Sequence, residues 1–407
     1  MNALFNSTAP QTPPPFEPGR KIKVFYVIER LARAGTELHL LHLLERLDRE
    51  RFEPVLCCLN GALTDVSLVP PGVTCHTLDA SWNLAHPRAF LLYQRLARLI
   101  GAEMPDVVHS FLFVANIMAA YAASSVETPV TVVTRGRMGI EWEATWLHRT
   151  LQRAADRRTT ATLCKTEAMR HEIHEEESVP LDRIFLVPNG VDIQTYVPAR
   201  DAEETLAARQ RLVEKCGIPL DAPLAVAIGN LKPIKGHRFL VEAASILQAS
   251  RPDLHIAVVG EGESAPELRQ MVKERHLEKV FHFPGKAFDV RPWMRAATLF
   301  VAPSLSEGMP NALLEAMACG LSAVLSDIPG HREAAGVAAW YFEAGRPESL
   351  ATALEQALAD PDTRQEWGQR MRKRTEERFS LDVMVRTTEN IYCKLLGDAR
   401  AAGRFRP

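Results

Sequence analysis

No apolar run in this 407-residue chain approaches the ~20 residues needed to cross a bilayer, and the N-terminus lacks a basic-then-apolar signal pattern. Cysteine is sparse: the seven residues (57, 58, 75, 164, 216, 319 and 393) are odd in number and show no C-x-x-C spacing. A disulfide framework and a zinc ribbon are thereby excluded, and a reducing cytosol fits. An excess of one charge is missing too, with 48 Lys+Arg against 50 Asp+Glu and a pI near 6.7. Any attraction to nucleic acid or an anionic membrane must therefore be local. What is left is the composition of a soluble globular protein, 46% hydrophobic and 24% charged.

The length exceeds one ordinary core and predicts two domains. Residues 1–20 carry Pro10, Pro13, Pro14, Pro15 and Pro18 and read as a disordered extension. From Lys21 onward, short β-branched or apolar runs alternate with helical periods, the pattern of repeated βα units. Strands are expected at 23–28, 54–59, 73–78, 106–109, 130–134, 160–164 and 184–187, with a first helix over Thr36 to Leu47. The polar segment Pro188-Asn-Gly-Val-Asp192 then interrupts the alternation and reads as a hinge. A second series follows at 224–228, 256–259, 280–283, 299–302 and 322–325. The simplest architecture is α/β, two Rossmann-like domains facing each other across a cleft. The expected divisions are 21–190, 191–378 and 379–407, the last holding a helix over Leu381 to Leu396 that packs back on the first domain.

The stretch Glu307-Gly-Met-Pro-Asn-Ala-Leu-Leu-Glu315 carries two carboxylates eight positions apart. Pro310 suits the first turn of a helix running from Asn311 to Cys319, which puts Glu307 on a loop and Glu315 inside the helix. The preceding run Leu299-Phe-Val-Ala302 reads as a buried parallel strand, so the loop leaves a strand's C-terminal end, where open α/β sheets bind ligands. A helix start there offers unpaired N–H groups and roughly half a positive charge to a phosphate. Taken alone, the spacing also suits a solvated cap and a surface ion pair. A second strand end, Ala227-Ile-Gly229-Asn230-Leu-Lys232-Pro-Ile-Lys235-Gly236-His237, places two lysines before a helix. Such lysines can neutralise a diphosphate without metal, each contact contributing up to ~4 kcal/mol at about 4 Å and an effective dielectric near 20. A third strand end, Val259-Gly260-Glu261-Gly262, supplies another permissive turn.

In this order and spacing, these motifs and the Asn-Gly-Val-Asp hinge resemble glycosyltransferase family 4, the retaining glycosyl transferases of group 1 with the GT-B fold. The resemblance covers residues 21 to 395 or so. It implies donor binding in the C-terminal domain, acceptor binding in the N-terminal domain, and no cofactor beyond a UDP-, GDP- or ADP-sugar donor. It implies that Glu307 holds the transferred sugar's hydroxyls, with Gly308, Met309 and Asn311 lining that pocket. Glu315 would hold the ribose. Lys235 and the N–H groups around Ala312 and Leu313 would meet the diphosphate, with Gly229, Asn230, Lys232 and Gly260 beside them. Ala34-Gly35-Thr36-Glu37 resembles the family's Gly-Gly-Thr-Glu loop and places Gly35 and Thr36 near the reacting phosphate. Lys235 and Glu307 are the expected catalytic pair.

Two departures stand out. Asn230 replaces the arginine that often follows the first glycine, which makes Lys232 the substitute charge. The family's His-x-His appears as His109-Ser110-Phe111, so His109 is either an acceptor-side histidine or a strand-end core residue. Arg135 opens a basic segment (Arg137, His148, Arg149, Arg153, Arg157, Arg158) that fits either the phosphate of a lipid-linked acceptor at the inner face of the cell membrane or an ordinary solvated helix face. No metal site is expected: Asp360-Pro-Asp362 reads as a helix breaker and cap, and His39 and His42 as surface or half-buried histidines. The expected activity is metal-independent, retaining transfer of a sugar to a hydroxyl of a glycan or lipid-linked acceptor in the cytoplasm, for cell-surface polysaccharide. Nucleic acid is not an expected partner. A sugar-nucleotide epimerase of related architecture and a non-catalytic nucleotide-sugar-binding protein are the competing readings.

Overall fold

The computed structural model describes residues 20–32, 35–79, 88–136 and 146–403. Residues 1–19 of the expected extension, Ala34 of the Gly35 loop and Arg137 of the basic segment lie outside that set. The chain folds as two compact units, one running to Val187 and resuming at Met384, the other Pro188–Val383.

In the first unit, β1 (Ile22–Ile28), β2 (Phe52–Cys58), β3 (Thr74–Thr77), β4 (Val107–Phe111), β5 (Val130–Thr134), β6 (Ala161–Cys164) and β7 (Ile184–Leu186) form one parallel sheet in the order β3-β2-β1-β4-β5-β6-β7. Central strands such as β1, where Val24-Phe-Tyr-Val-Ile28 is fully buried, are covered on both faces, which explains their near-continuous apolar reading. In β1 and β4, Tyr26 pairs with His109 and Ile28 with Phe111, so a row of aromatic groups forms in the sheet.

In the second unit, β8 (Leu224–Ile228), β9 (His255–Val259), β10 (Phe281–Gly285), β11 (Leu299–Ala302), β12 (Ala323–Ser326) and β13 (Trp340–Phe342) follow the order β10-β9-β8-β11-β12-β13, again all parallel. Both orders reverse direction beside the first strand, the topological switch point of a Rossmann sheet. Strand β13 is absent from the sequence expectation. It is three residues long, at the sheet edge, and too short to show a period.

The last helix, Leu381–Ala401, docks on the first unit from Met384 onward. Glu389 there accepts the Asp48 backbone N–H at 2.8 Å, and Tyr392 reaches His109 in the core. Asp360 caps the helix Pro361–Arg378 by accepting the Thr363 N–H at 2.9 Å, as expected of a breaker and cap. His39, expected at or near the surface, is instead buried: it lies on the inner side of the helix Gly35–Arg46, against Phe111 and Lys165.

Candidate active site

The second unit gathers most of the expected site residues at the C-terminal ends of β8 and β11. After β8 the chain passes through Gly229 and the exposed Asn230 and Lys232 into a single 3-10 turn, Pro233–Lys235, and then the helix His237–Leu247. Gly236 joins turn to helix with φ +66°, and a Cβ there would lie 2.0 Å from the Pro303 carbonyl oxygen, so only glycine fits. Gly260 packs on the Gly229 carbonyl in the same way, 1.9 Å from where its Cβ would stand. The Leu305 N–H donates to the Ile234 carbonyl at 2.8 Å, which stitches the loop after β11 to the lysine turn.

That stitch sets Lys235 against Glu307. The Lys235 Nζ donates to Glu307 Oε1 at 2.5 Å, and the Ser304 hydroxyl donates to the same oxygen at 2.8 Å. Glu307 is 14% exposed and Lys235 29%, so the pair is shielded but reachable. Downstream, Pro310 is the N-cap of the helix Asn311–Ala318 rather than a member of its first turn, with φ −79° and ψ 112°. Leu314 makes the first intrahelical bond, to Pro310, which leaves the N–H groups of Asn311, Ala312 and Leu313 as the helix's anion-seeking end. Met309 is buried beneath them, and Gly308 lies on the loop between Glu307 and that helix.

Glu315, one turn into the helix, is half-buried. Burial pushes its carboxyl up to about 7, while the Tyr196 hydroxyl facing it opposes the rise by hydrogen bonding. Burial also raises the Tyr196 phenol, with the Glu315 charge adding to it, so that phenol stays protonated. Tyr196 escaped the sequence reading, as did the groups that hold its loop along the helix. Asn189 donates to the Met309 carbonyl at 2.9 Å and to Asn311 Oδ1 at 2.8 Å. At the other end Arg372 donates to the carbonyls of Ile193 (2.9 Å), Tyr196 (2.6 Å) and Ala318 (2.5 Å). The Asn-Gly pair of the hinge motif was a visible signal for the first of these; nothing in sequence marked Arg372, 176 positions from Tyr196.

In the first unit, Gly35 and Thr36 open the helix Gly35–Arg46, and the Thr36 hydroxyl lies close to Gly136 after β5. His109 is fully buried, with Nδ1 bonded to the Tyr392 hydroxyl (2.5 Å) and Nε2 to the Thr134 hydroxyl (2.7 Å). Burial, then the Lys165 charge, depresses its pKa well below the usual histidine range, which keeps it neutral. Arg135 is clamped between Asp156 (2.6 Å) and Glu177 (3.1 Å). Both residues are thus occupied by protein partners. Arg149, Arg153 and Arg157 are exposed at four-residue spacing along or just past the helix Trp146–Asp156. Among the described residues no group of three or more His, Cys, Asp or Glu side chains is arranged to hold a metal ion, and no helix is long and apolar enough to cross a membrane.

Comparison with known proteins places this geometry in context. Residues 33–195 match the model of Glycosyltransferase Family 4, and residues 222–360 match that of Glycosyl transferases group 1. The D-inositol 3-phosphate glycosyltransferase of Thermobispora bispora is 31% identical over 78% of this chain and 70% of its own length. The UDP-Gal:alpha-D-GlcNAc-diphosphoundecaprenol alpha-1,3-galactosyltransferase of Escherichia coli is 28% identical over 76% of this chain and 81% of its own. Among solved structures, HepE of Anabaena in complex with UDP superposes with a TM-score of 0.78 at 18% identity, covering 92% of this chain and all of HepE. WaaG, a glycosyltransferase of lipopolysaccharide biosynthesis, gives 0.67 at 18% identity over 92% of this chain and all of its own.

Proposed function

Because the chain belongs to glycosyltransferase family 4 and has its GT-B fold of two Rossmann-like units, we propose that it is a retaining, metal-independent transferase that moves a sugar from a nucleoside-diphosphate sugar to a hydroxyl of a glycan or lipid-linked acceptor. The observation that carries the reading is the Lys235–Glu307 pair beside the open N-terminus of the Asn311 helix. In that reading the diphosphate takes Lys235 and the N–H groups of Ala312 and Leu313, Glu307 turns to the sugar hydroxyls, and Glu315 accepts from the ribose. As the bond from the anomeric carbon to the diphosphate breaks, negative charge builds on the leaving oxygen, and a fixed cation and helix end aimed there lower the barrier. The leaving phosphate takes the proton of the acceptor hydroxyl as the new C–O bond forms on the same face. A fixed lysine charge at the diphosphate is what supports independence from metal. The lipid-linked acceptor is supported by the Escherichia coli relative, whose acceptor is alpha-D-GlcNAc-diphosphoundecaprenol, and we extend the reading to a role in cell-surface polysaccharide.

The test is a panel of UDP-, GDP- and ADP-sugars screened by thermal stabilisation, since a ligand of the folded state alone raises the melting temperature. The donor selected is then incubated with lipid-linked saccharides in the presence of EDTA. Nucleoside diphosphate released only when acceptor is present, with a product of unchanged anomeric configuration, is the expected result. Isomerised donor without acceptor, or strict dependence on an added divalent ion, sinks the proposal.

A further inference from the structure

Glu307 is held by more than Lys235. The Ser304 hydroxyl that donates to Oε1 belongs to a residue only 3% exposed, immediately after the Pro303 carbonyl on which Gly236 packs. Its carbonyl accepts the hydroxyl proton of Ser326, at the end of β12, at 2.5 Å. With its proton so committed, the Ser326 oxygen can only accept from His331, whose Nδ1 lies 3.1 Å from it and 3.0 Å from the Ser326 carbonyl. Both neighbours of Nδ1 are acceptors, so the proton sits on Nδ1, and burial lowers the ring's pKa and favours its neutral form. Ser326 and His331 are fully buried, and His331 Nε2 has no hydrogen-bond partner among the described residues.

Resting on the donor reading above, we propose that the Ser304–Ser326–His331 chain is a positioning device for Glu307, keeping its carboxylate aimed at the transferred sugar while Lys235 meets the diphosphate. The Lys235 ammonium carries three N–H donors and gives one to Glu307, so it can hold the carboxylate and meet a phosphate together. Lys235 and the Ser304 hydroxyl both donate to Oε1, which leaves the other carboxylate oxygen to face the sugar with a fixed orientation. Ser304, Ser326 and His331 are positioning residues: none is assigned a contact with substrate.

The device predicts a selective defect. Ser304→Ala weakens binding of the nucleotide sugar by roughly tenfold or more, the effect of losing one hydrogen bond to a charged group, while the nucleoside diphosphate lacking the sugar is bound within about threefold of wild type. Ser304→Thr, which restores a hydroxyl, recovers most of the loss. The probes are UDP and UDP-glucose, or GDP and GDP-mannose, or ADP and ADP-glucose, as the panel selects, measured by calorimetry. Ser326→Ala, one step further back, gives a smaller loss with the same selectivity and serves if the Ser304 variant does not fold. Equal losses on both probes, or none on either, overturn the inference while leaving the donor reading intact. A wild-type protein that binds none of the six overturns both.

Discussion

The Lys235 ammonium sits 2.5 Å from Glu307 Oε1, so two groups assigned to different parts of the donor neutralise each other. The arrangement keeps a shielded carboxylate and a shielded cation from standing uncompensated. In the proposed reading the same ammonium also donates to the diphosphate.

Substituting the two partners is therefore expected to have opposite effects on one measurement. Lys235→Ala lowers turnover by on the order of 10² to 10³, the usual cost of removing one donor aimed at developing charge, and weakens nucleoside diphosphate binding as well. Glu307→Gln also impairs transfer, yet binds the sugar-free nucleoside diphosphate more tightly than wild type because the Lys235 charge is no longer offset by a carboxylate. Turnover assays and calorimetry on the two variants check this. Near-normal turnover in Lys235→Ala removes the lysine from the mechanism.

With Glu315 at the ribose, as proposed, donor binding is expected to depend on pH. Its carboxyl, pushed up to about 7 by burial, is largely neutral at pH 6 and ionised at pH 8. The ionised form is the better acceptor of ribose hydroxyls, so nucleotide-sugar affinity rises over that interval, and Glu315→Gln flattens the profile. Tyr196→Phe moves the midpoint upward, since the hydroxyl favours the charged form. For stability the sign is the reverse: between 4.5, its ordinary value, and about 7 the folded state holds a proton that the unfolded chain releases, so this contribution to stability is lost as pH rises through that window. Above pH 7, Glu315→Gln is more stable than wild type by about 1–3 kcal/mol. A pH-independent affinity in wild type contradicts the assignment of Glu315.

The buried strands were legible because each is an apolar run closed by a turn, and the strand ends were legible because glycine and lysine follow them. Val130–Thr134, Leu224–Ile228 and Leu299–Ala302 fall on the expected residues. Trp340–Phe342 was not, since three aromatic residues at an edge carry no period. His39 was misread for a related reason: with its neighbours it makes a helix that is apolar on one side, but the lysine that shares its environment comes from position 165, after β6. The site divides the same way. Residues contributed by the loops after β8 and β11 announce themselves by local motif, whereas Tyr196, Arg372, Ser326 and His331 act through contacts that only the folded chain makes. Their residue types are ordinary and their spacing says nothing.

A lipid-linked acceptor brings a last expectation about the surface. Arg149, Arg153 and Arg157 are exposed at four-residue spacing, on one side of the helix Trp146–Asp156 and just beyond its end, while Arg135 behind them is already neutralised by Asp156 and Glu177. The exposed arginines can therefore meet phosphates without first giving up a partner carboxylate. At about 1 kcal/mol for each arginine near an anionic surface, losing two weakens vesicle binding roughly 30-fold, and reversing their charge weakens it further. Sedimentation with vesicles of phosphatidylcholine and phosphatidylglycerol is expected to show binding by wild type that falls as salt is raised, because exposed charges are screened within a Debye length. Arg149→Glu combined with Arg153→Glu abolishes it and leaves transfer to a soluble saccharide acceptor unchanged. Wild-type protein that stays in the supernatant at low salt removes the membrane from the proposal and leaves these arginines as a solvated helix face.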